Sequence, residues 1–352
     1  MSNSSPIAFL QEVREMPAAL QRLVAWYGEN GWERLKSWRE QALSKRRVHF
    51  IGMGTSEFVG GFVQQSLAKA GVDATCHDAG EILHFPRPLC GLQVYVSQSG
   101  ESVETRRLVE LHDAATKSGC IVNNEASSLA TQTNWSLPMC AGDESAISTK
   151  TYLNTLAVLY LMEHALDGRF RFVEALNELE QLAQRLESSH ESLSNSEELR
   201  AAAALIADRE SIHFIARGPA MVAAHQSALT FMEGTRLTAR AFTGGAFRHG
   251  PFEVVDETHR CVVFLSSGSG SALLTAMTRE MGEKGSHVVV LADSAITVTS
   301  SQVTVLRVPN VGEALFPLVA SVAQSLLLEA VASARGYVAG DFRHSSKITS
   351  RE

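Results

Sequence analysis

The segments Val48-His49-Phe50-Ile51-Gly52-Met53-Gly54 and Ile212-His213-Phe214-Ile215-Ala216-Arg217-Gly218 repeat one pattern, a short apolar strand opening into a glycine turn, and each runs on into a helical stretch. A second pair follows the same plan: Val94-Tyr95-Val96-Ser97 and Val262-Val263-Phe264-Leu265-Ser266 both enter a Ser/Gly turn ahead of another helix. Short apolar strands alternating with amphipathic helices must bury both strand faces, which calls for parallel sheets covered on each side. The expected fold is α/β, two tandem doubly wound parallel-sheet domains built on one βαβ plan. At 352 residues the chain is long for one core and comfortable for two.

Further strands are expected at Cys120 to Asn123 and His287 to Ala292, and a helix over Val103 to Lys117. Ile7 to Lys45 reads as two helices, and Phe170 to Arg200 as a helical connection. The expected organisation is an N-terminal helical segment at 1–45, a first domain at 46–168, the connection at 169–199, a second domain at 200–335 and a C-terminal tail at 336–352. Leu315 to Ala334 approaches the length of a membrane span, but Pro317, Ser321, Gln324, Ser325, Glu329 and Ser333 make it a buried helix instead. Leu153 to Met162 reads as a shorter interior helix.

The charge balance excludes some partners. With a net charge of -7 and no basic stripe, the chain is not built for nucleic acid. The five cysteines are scattered without a CxxC pair or a histidine at ligand spacing, which points to a reducing compartment and to no metal. Met1 to Gln11 lacks a basic region followed by an apolar core, so a cytoplasmic location is expected and no membrane partner.

Ser97-Gln98-Ser99-Gly100-Glu101-Ser102 crowds three hydroxyls into one strand-to-helix turn. Unpaired N–H groups at a helix start and rotatable hydroxyls suit a phosphate ester; the bland alternative is a Ser-capped loop. Gly52-Met53-Gly54-Thr55-Ser56 forms a second polar turn at the same sheet end. Glu57 stands where a dinucleotide fingerprint needs its third glycine, so no nicotinamide cofactor is expected, nor any other.

These turns, with Glu144-Ser145-Ala146-Ile147-Ser148-Thr149-Lys150 and Phe247-Arg248-His249-Gly250-Pro251, resemble the sugar isomerase (SIS) family across most of the chain. The likeness is to members with two tandem flavodoxin-like SIS domains, the isomerase half of glucosamine-6-phosphate synthase among them. The resemblance implies that Ser97, Gln98, Ser99 and Ser102 hold a sugar phosphate, and that Thr55, Ser56, Ala146, Ile147 and Ser148 contact the sugar. It also implies that Glu233, sixteen residues before His249, shuttles a proton, that His249 opens the sugar ring, and that Lys347 is the active-site lysine of a tail that covers the site. Ser266-Ser267-Gly268-Ser269-Gly270 in the second half looks degenerate and structural.

The residue types suit the chemistry independently. Moving a carbonyl between neighbouring carbons needs a positioned carboxylate base and no metal, ring opening needs a group titrating near neutrality, and a desolvated lysine can hold sugar oxygens or form a Schiff base. Taken singly, Glu233 reads as a solvated helix face, His249 as a turn residue and Lys347 as terminal decoration.

The chain departs from the family pattern in three places. Thr230 replaces a lysine, Gly340 and Phe342 replace an aspartate and a proline in the tail, and Ser2 stands where the synthase has its glutaminase cysteine. No glutaminase domain is expected. The expected function is a phosphosugar isomerase or deaminase acting on a hexosamine 6-phosphate-like compound. The alternatives are a fructosamine-6-phosphate deglycase and a non-catalytic phosphosugar-binding regulator. The family also implies a homodimer or higher homo-oligomer with a shared active site.

Overall fold

The computed structural model describes residues 6–113, 116–145 and 147–344. Its first elements are α1 (Pro6–Arg14), α2 (Met16–Lys45), β1 (Arg47–Gly52), α3 (Thr55–Phe58), α4 (Gln64–Lys69), β2 (Asp73–Asp78), α5 (Ala79–His84), β3 (Leu92–Ser97), α6 (Val103–Glu110), β4 (Ser118–Val122), α7 (Ser128–Gln132), β5 (Ser136–Pro138) and α8 (Lys150–Leu166). Then come α9 (Arg169–Ser194), α10 (Glu197–Ala207), β6 (Ser211–Ala216), α11 (Met221–Thr235), β7 (Thr238–Thr243), α12 (Gly244–Arg248), β8 (Arg260–Leu265), α13 (Ser271–Glu283), β9 (His287–Asp293), β10 (Val303–Val308) and α14 (Gly312–Ala334).

The strands make two parallel five-stranded sheets, ordered β2-β1-β3-β4-β5 and β10-β9-β8-β6-β7. Read from β7, the second order repeats the first, which is the flavodoxin-like winding. In each sheet the order of winding reverses between its first and third strands, and ligands of such sheets bind beyond the carboxyl ends at that switch point. In the first sheet the turns that follow β1 and β3 flank it.

Two compact units emerge. Among the described residues, one comprises 17–144 and 150–183 with His344; the other comprises 6–16, the 145–149 loop and 184–343. In the first, Ile51, Tyr95, Cys120, Val122 and Leu129 form one core layer. The long helix α2 is pinned through polar tips that would otherwise be stranded: Tyr27 donates to the Pro138 carbonyl (3.1 Å) and the Trp38 indole to the Met162 carbonyl (2.8 Å). In the second unit, β8 is buried along its whole length, as the continuous apolar run Cys261 to Leu265 requires. Helix α14 is long and apolar enough to cross a membrane, yet its most apolar window is 83% buried, which marks a core helix.

The helix expected over Val103 to Lys117 ends at Glu110. Beyond it the His112 ring meets the Tyr95 hydroxyl (2.9 Å) and Gln93 (3.1 Å), and the Asp113 carboxylate accepts the Thr116 N–H and hydroxyl. These side-chain bonds compete with the helical ladder and win.

Candidate active site

Ser97 ends β3 and Ser102 stands at the N-cap of α6. A purely capping serine would turn its hydroxyl onto a helix N–H, but Ser102 makes no side-chain capping bond. Its Oγ lies 3.3 Å from Ser97 Oγ instead. Ser97 Oγ accepts the Gly100 N–H and Ser99 Oγ accepts the Glu101 N–H, both at 3.1 Å, so the Ser99 hydroxyl proton remains to be donated elsewhere. The Ser97 and Ser102 hydroxyls therefore meet at the start of an eight-residue helix whose first N–H groups carry partial positive charge.

This turn is held rigidly from the adjacent strand connection. Gln98 and Gly100 carbonyls accept the N–H groups of Asn123 (3.0 Å) and Leu129 (3.2 Å). Gly100 has φ 67°, and a Cβ there would fall 2.1 Å from Ser127 Oγ, so only glycine fits. Glu101 Oε1 accepts the Ser128 N–H (2.7 Å), and Oε2 accepts the Ser128 hydroxyl (2.9 Å) and Arg106 (3.3 Å). The Ser128 N–H above all holds the Glu101 carboxyl below its ordinary pKa. Sequence reasoning missed Glu101 as the brace of the turn, because its partner lies 27 residues away.

The neighbouring turn after β1 presents Thr55 and Ser56 in the first turn of α3. Gly52 is compulsory there, since a Cβ would meet the Ser56 carbonyl oxygen at 2.5 Å. Glu57, next in the chain, has its pKa raised by burial and then by Asp78. Glu144 and Lys150 serve structure: Glu144 accepts the Thr151 N–H (3.0 Å) and hydroxyl (2.6 Å) at the start of α8, and Lys150 Nζ donates to the Asp143 carbonyl (2.6 Å).

The loop Ser145–Thr149 belongs to the unit that carries Glu233. Glu12 of α1, unforeseen from sequence, anchors it by accepting the Ser145 N–H (2.6 Å) and hydroxyl (2.9 Å). The Ser148 carbonyl accepts Gln226 Nε2 (3.2 Å) from α11. Ile147 is buried, with Cδ1 3.1 Å from where a Cβ on Gly234 would lie, so its side chain serves packing next to Glu233. Ala146 and Lys347 lie outside the described residues.

Glu233 is half-buried in the last turn of α11. Thr230, one turn earlier, returns its hydroxyl to the Gln226 carbonyl (2.9 Å). His249 is exposed at the end of α12. The structure does not bring Glu233 and His249 together within one chain: α11 ends at the amino edge of the sheet and α12 follows its carboxyl edge. The six residues of β7 between them span about 20 Å.

The corresponding turn of the second half is built differently. Ser267 donates to Asp293 (2.6 Å), and the Glu313 carboxyl carbon lies 2.4 Å from where a Cβ on Gly268 would sit. An anion there would face two carboxylates. Among the described residues no group of three or more His, Cys, Asp or Glu is placed to hold a metal.

Two sheets of one winding, each with its turns gathered beyond the carboxyl strand ends, define a tandem α/β protein of the doubly wound class. The SIS domain model matches residues 43–165 and 205–334, and the chain belongs to the SIS domain family. It is 27% identical over 329 residues to a glutamine–fructose-6-phosphate aminotransferase (isomerizing) of Staphylococcus aureus, covering 90% of this chain and 54% of that protein. The chain thus spans about half the length of the curated relatives it matches. Its fold matches the C-terminal domain of glucosamine-fructose-6-phosphate aminotransferase from Francisella tularensis, with a TM-score of 0.86 at 23% identity over 97% of this chain and 99% of that one. It also matches a glucosamine-6-phosphate deaminase from Thermotoga maritima, with a TM-score of 0.73 at 16% identity over 97% and 99%.

Proposed function

We propose that this protein is an enzyme that isomerises or deaminates an amino-sugar phosphate, with the ester phosphate held by Ser97, Gln98, Ser99 and Ser102. The observation that carries this reading is the Ser97–Ser102 turn, where the Ser97 and Ser102 hydroxyls meet and Ser102 leaves the helix uncapped. Hydrogen bonds to a charged group are worth about 1.5–3 kcal/mol each, enough for a few of them to select a phosphate without arginine.

Thr55, Ser56 and the 146–148 loop contact the sugar in this reading. His249 exchanges the protons that open the ring. Glu233 takes the proton from C2 of the open-chain amino aldehyde and returns it to C1 while an amine proton passes to O1, so that the C2 amine becomes an imine and the C1 carbonyl a hydroxyl. Water then adds at C2 and ammonia leaves, giving the ketose phosphate. Lys347 holds the sugar oxygens. Because Glu233 and His249 lie at opposite sheet edges of one chain, a single site using both draws His249 from a second copy, which supports a homodimer with a shared active site. The names of the aminotransferase and deaminase relatives favour the same chemistry.

Incubating the purified protein with glucosamine 6-phosphate in deuterated water tests this directly. Release of ammonia and fructose 6-phosphate, with deuterium entering the product, is expected. Glu233→Gln abolishes this exchange while leaving phosphosugar affinity within about two-fold. The absence of both turnover and exchange across a panel of amino-sugar phosphates would overturn the reading.

A further inference from the structure

Arg236 follows α11 immediately and is one of three non-glycine residues with positive φ among those described, at 65°. That backbone, ordinarily left to glycine, turns its guanidinium under the end of the helix that carries Glu233. One terminal nitrogen donates to the Glu233 carbonyl and the other to the Asp341 carbonyl, 105 residues on. The guanidinium carbon also lies 5.7 Å from the centroid of the Tyr337 ring, and Nε is buried without a partner.

The segment it grips is shaped to meet it. Helix α14 ends in a Schellman turn, with Gly336 at φ 76°, its N–H on the Ser333 carbonyl (3.0 Å) and the Tyr337 N–H on the Ala332 carbonyl (2.8 Å). Gly340, at φ 88°, and the Asp341 N–H on the Val338 carbonyl (3.1 Å) fold the chain a second time. Arg335 adds bonds to the Thr235 (2.9 Å), Ala207 (2.7 Å) and Arg209 (2.6 Å) carbonyls. A residue that only capped α11 would need the Glu233 carbonyl alone; the bond to Asp341 reaches the root of the tail.

We propose that Arg236 is a positioning residue, a two-pronged clamp that fixes the root of the C-terminal tail against the helix end bearing Glu233. This rests on the roles assigned above to Glu233 and Lys347, which lies six residues beyond Asp341. The clamp fixes the tail's point of departure, at Asp341, relative to the base.

Arg236→Gly tests this without adding backbone strain, since glycine accepts the positive φ. Arg236→Lys keeps the charge but supplies a point donor in place of the two-pronged fork. In both variants, amide exchange at Tyr337 and Asp341 is expected to rise about ten-fold. The kcat with glucosamine 6-phosphate falls about ten-fold, with KM within about two-fold, and Arg236→Gly adds less than about two-fold to the loss caused by Lys347→Ala. Unchanged exchange overturns the clamp, and so does rescue of kcat by lysine; a loss fully additive with Lys347→Ala overturns the positioning role. An unaltered protein with no turnover overturns the functional reading and the positioning role with it, even if the exchange data reveal the clamp.

Discussion

Ser97 and Ser99 are fixed by bonds from the backbone of their own turn, so a ligand meets hydroxyls that are already ordered. Ser97→Ala and Ser99→Ala are each expected to weaken fructose 6-phosphate binding about ten-fold or more by calorimetry; Ser97→Ala also lowers the melting temperature, because it strands the buried Gly100 N–H. Glu101→Ala strands the Ser128 N–H and hydroxyl and likewise lowers both affinity and melting temperature. The run of hydroxyls was legible in the sequence because its chemistry is local. The supports were not, since Glu101 reaches Ser128 across 27 residues and Glu12 reaches Ser145 across 133. A lone glutamate looks the same in sequence whether it faces water or braces a loop.

Among the elements, the strands legible in the sequence are the inner three of each sheet, β1, β3 and β4, then β6, β8 and β9. Covered on both faces, they read as largely apolar runs, interrupted only by residues such as His49 and His213. The four that are not, β2, β5, β7 and β10, are the sheet edges. Asp73-Ala74-Thr75-Cys76-His77-Asp78 and Thr238-Ala239-Arg240-Ala241-Phe242-Thr243 are half-exposed and mix polar with apolar residues, so neither pattern stands out. Glycines fix how closely elements approach. In β4, a Cβ on Gly119 would fall 2.1 Å from Cε2 of Trp135. Gly119→Ala must displace the indole from the strand and is expected to cost about 2–3 kcal/mol in urea unfolding, against near-neutral substitution at Gly61, which has nothing within 4 Å.

At the scale of the whole molecule, both copies of the repeat carry an imidazole pair, one ring buried and the other half-buried, starting from the same strand position. His49 Nδ1 lies 3.1 Å from His77 Nε2, and His213 Nδ1 lies 3.0 Å from His259 Nε2. Arg87 donates to His77 Nδ1 (2.8 Å), leaving that ring no site for a second proton. Burial first, and the neighbouring histidine next, lower His77 and His259 to about 4. Unfolded histidine titrates near 6.5, so the unfolded chain takes up protons first. Stability is therefore full above about pH 6.5, falls as pH drops toward 4 and levels below it; melting temperatures across that range should show the decline, and His259→Gln should reduce it. The two halves share this core device but not the serine turn, where Asp293 and Glu313 replace open hydroxyls in the second. A crystal structure with fructose 6-phosphate tests that asymmetry most directly. The phosphate oxygens are expected within about 3.2 Å of the Ser97, Ser99 and Ser102 hydroxyls. A sugar phosphate seated at the Ser266–Gly270 turn instead, or an empty Ser97–Ser102 turn at saturating ligand, would contradict the assignment.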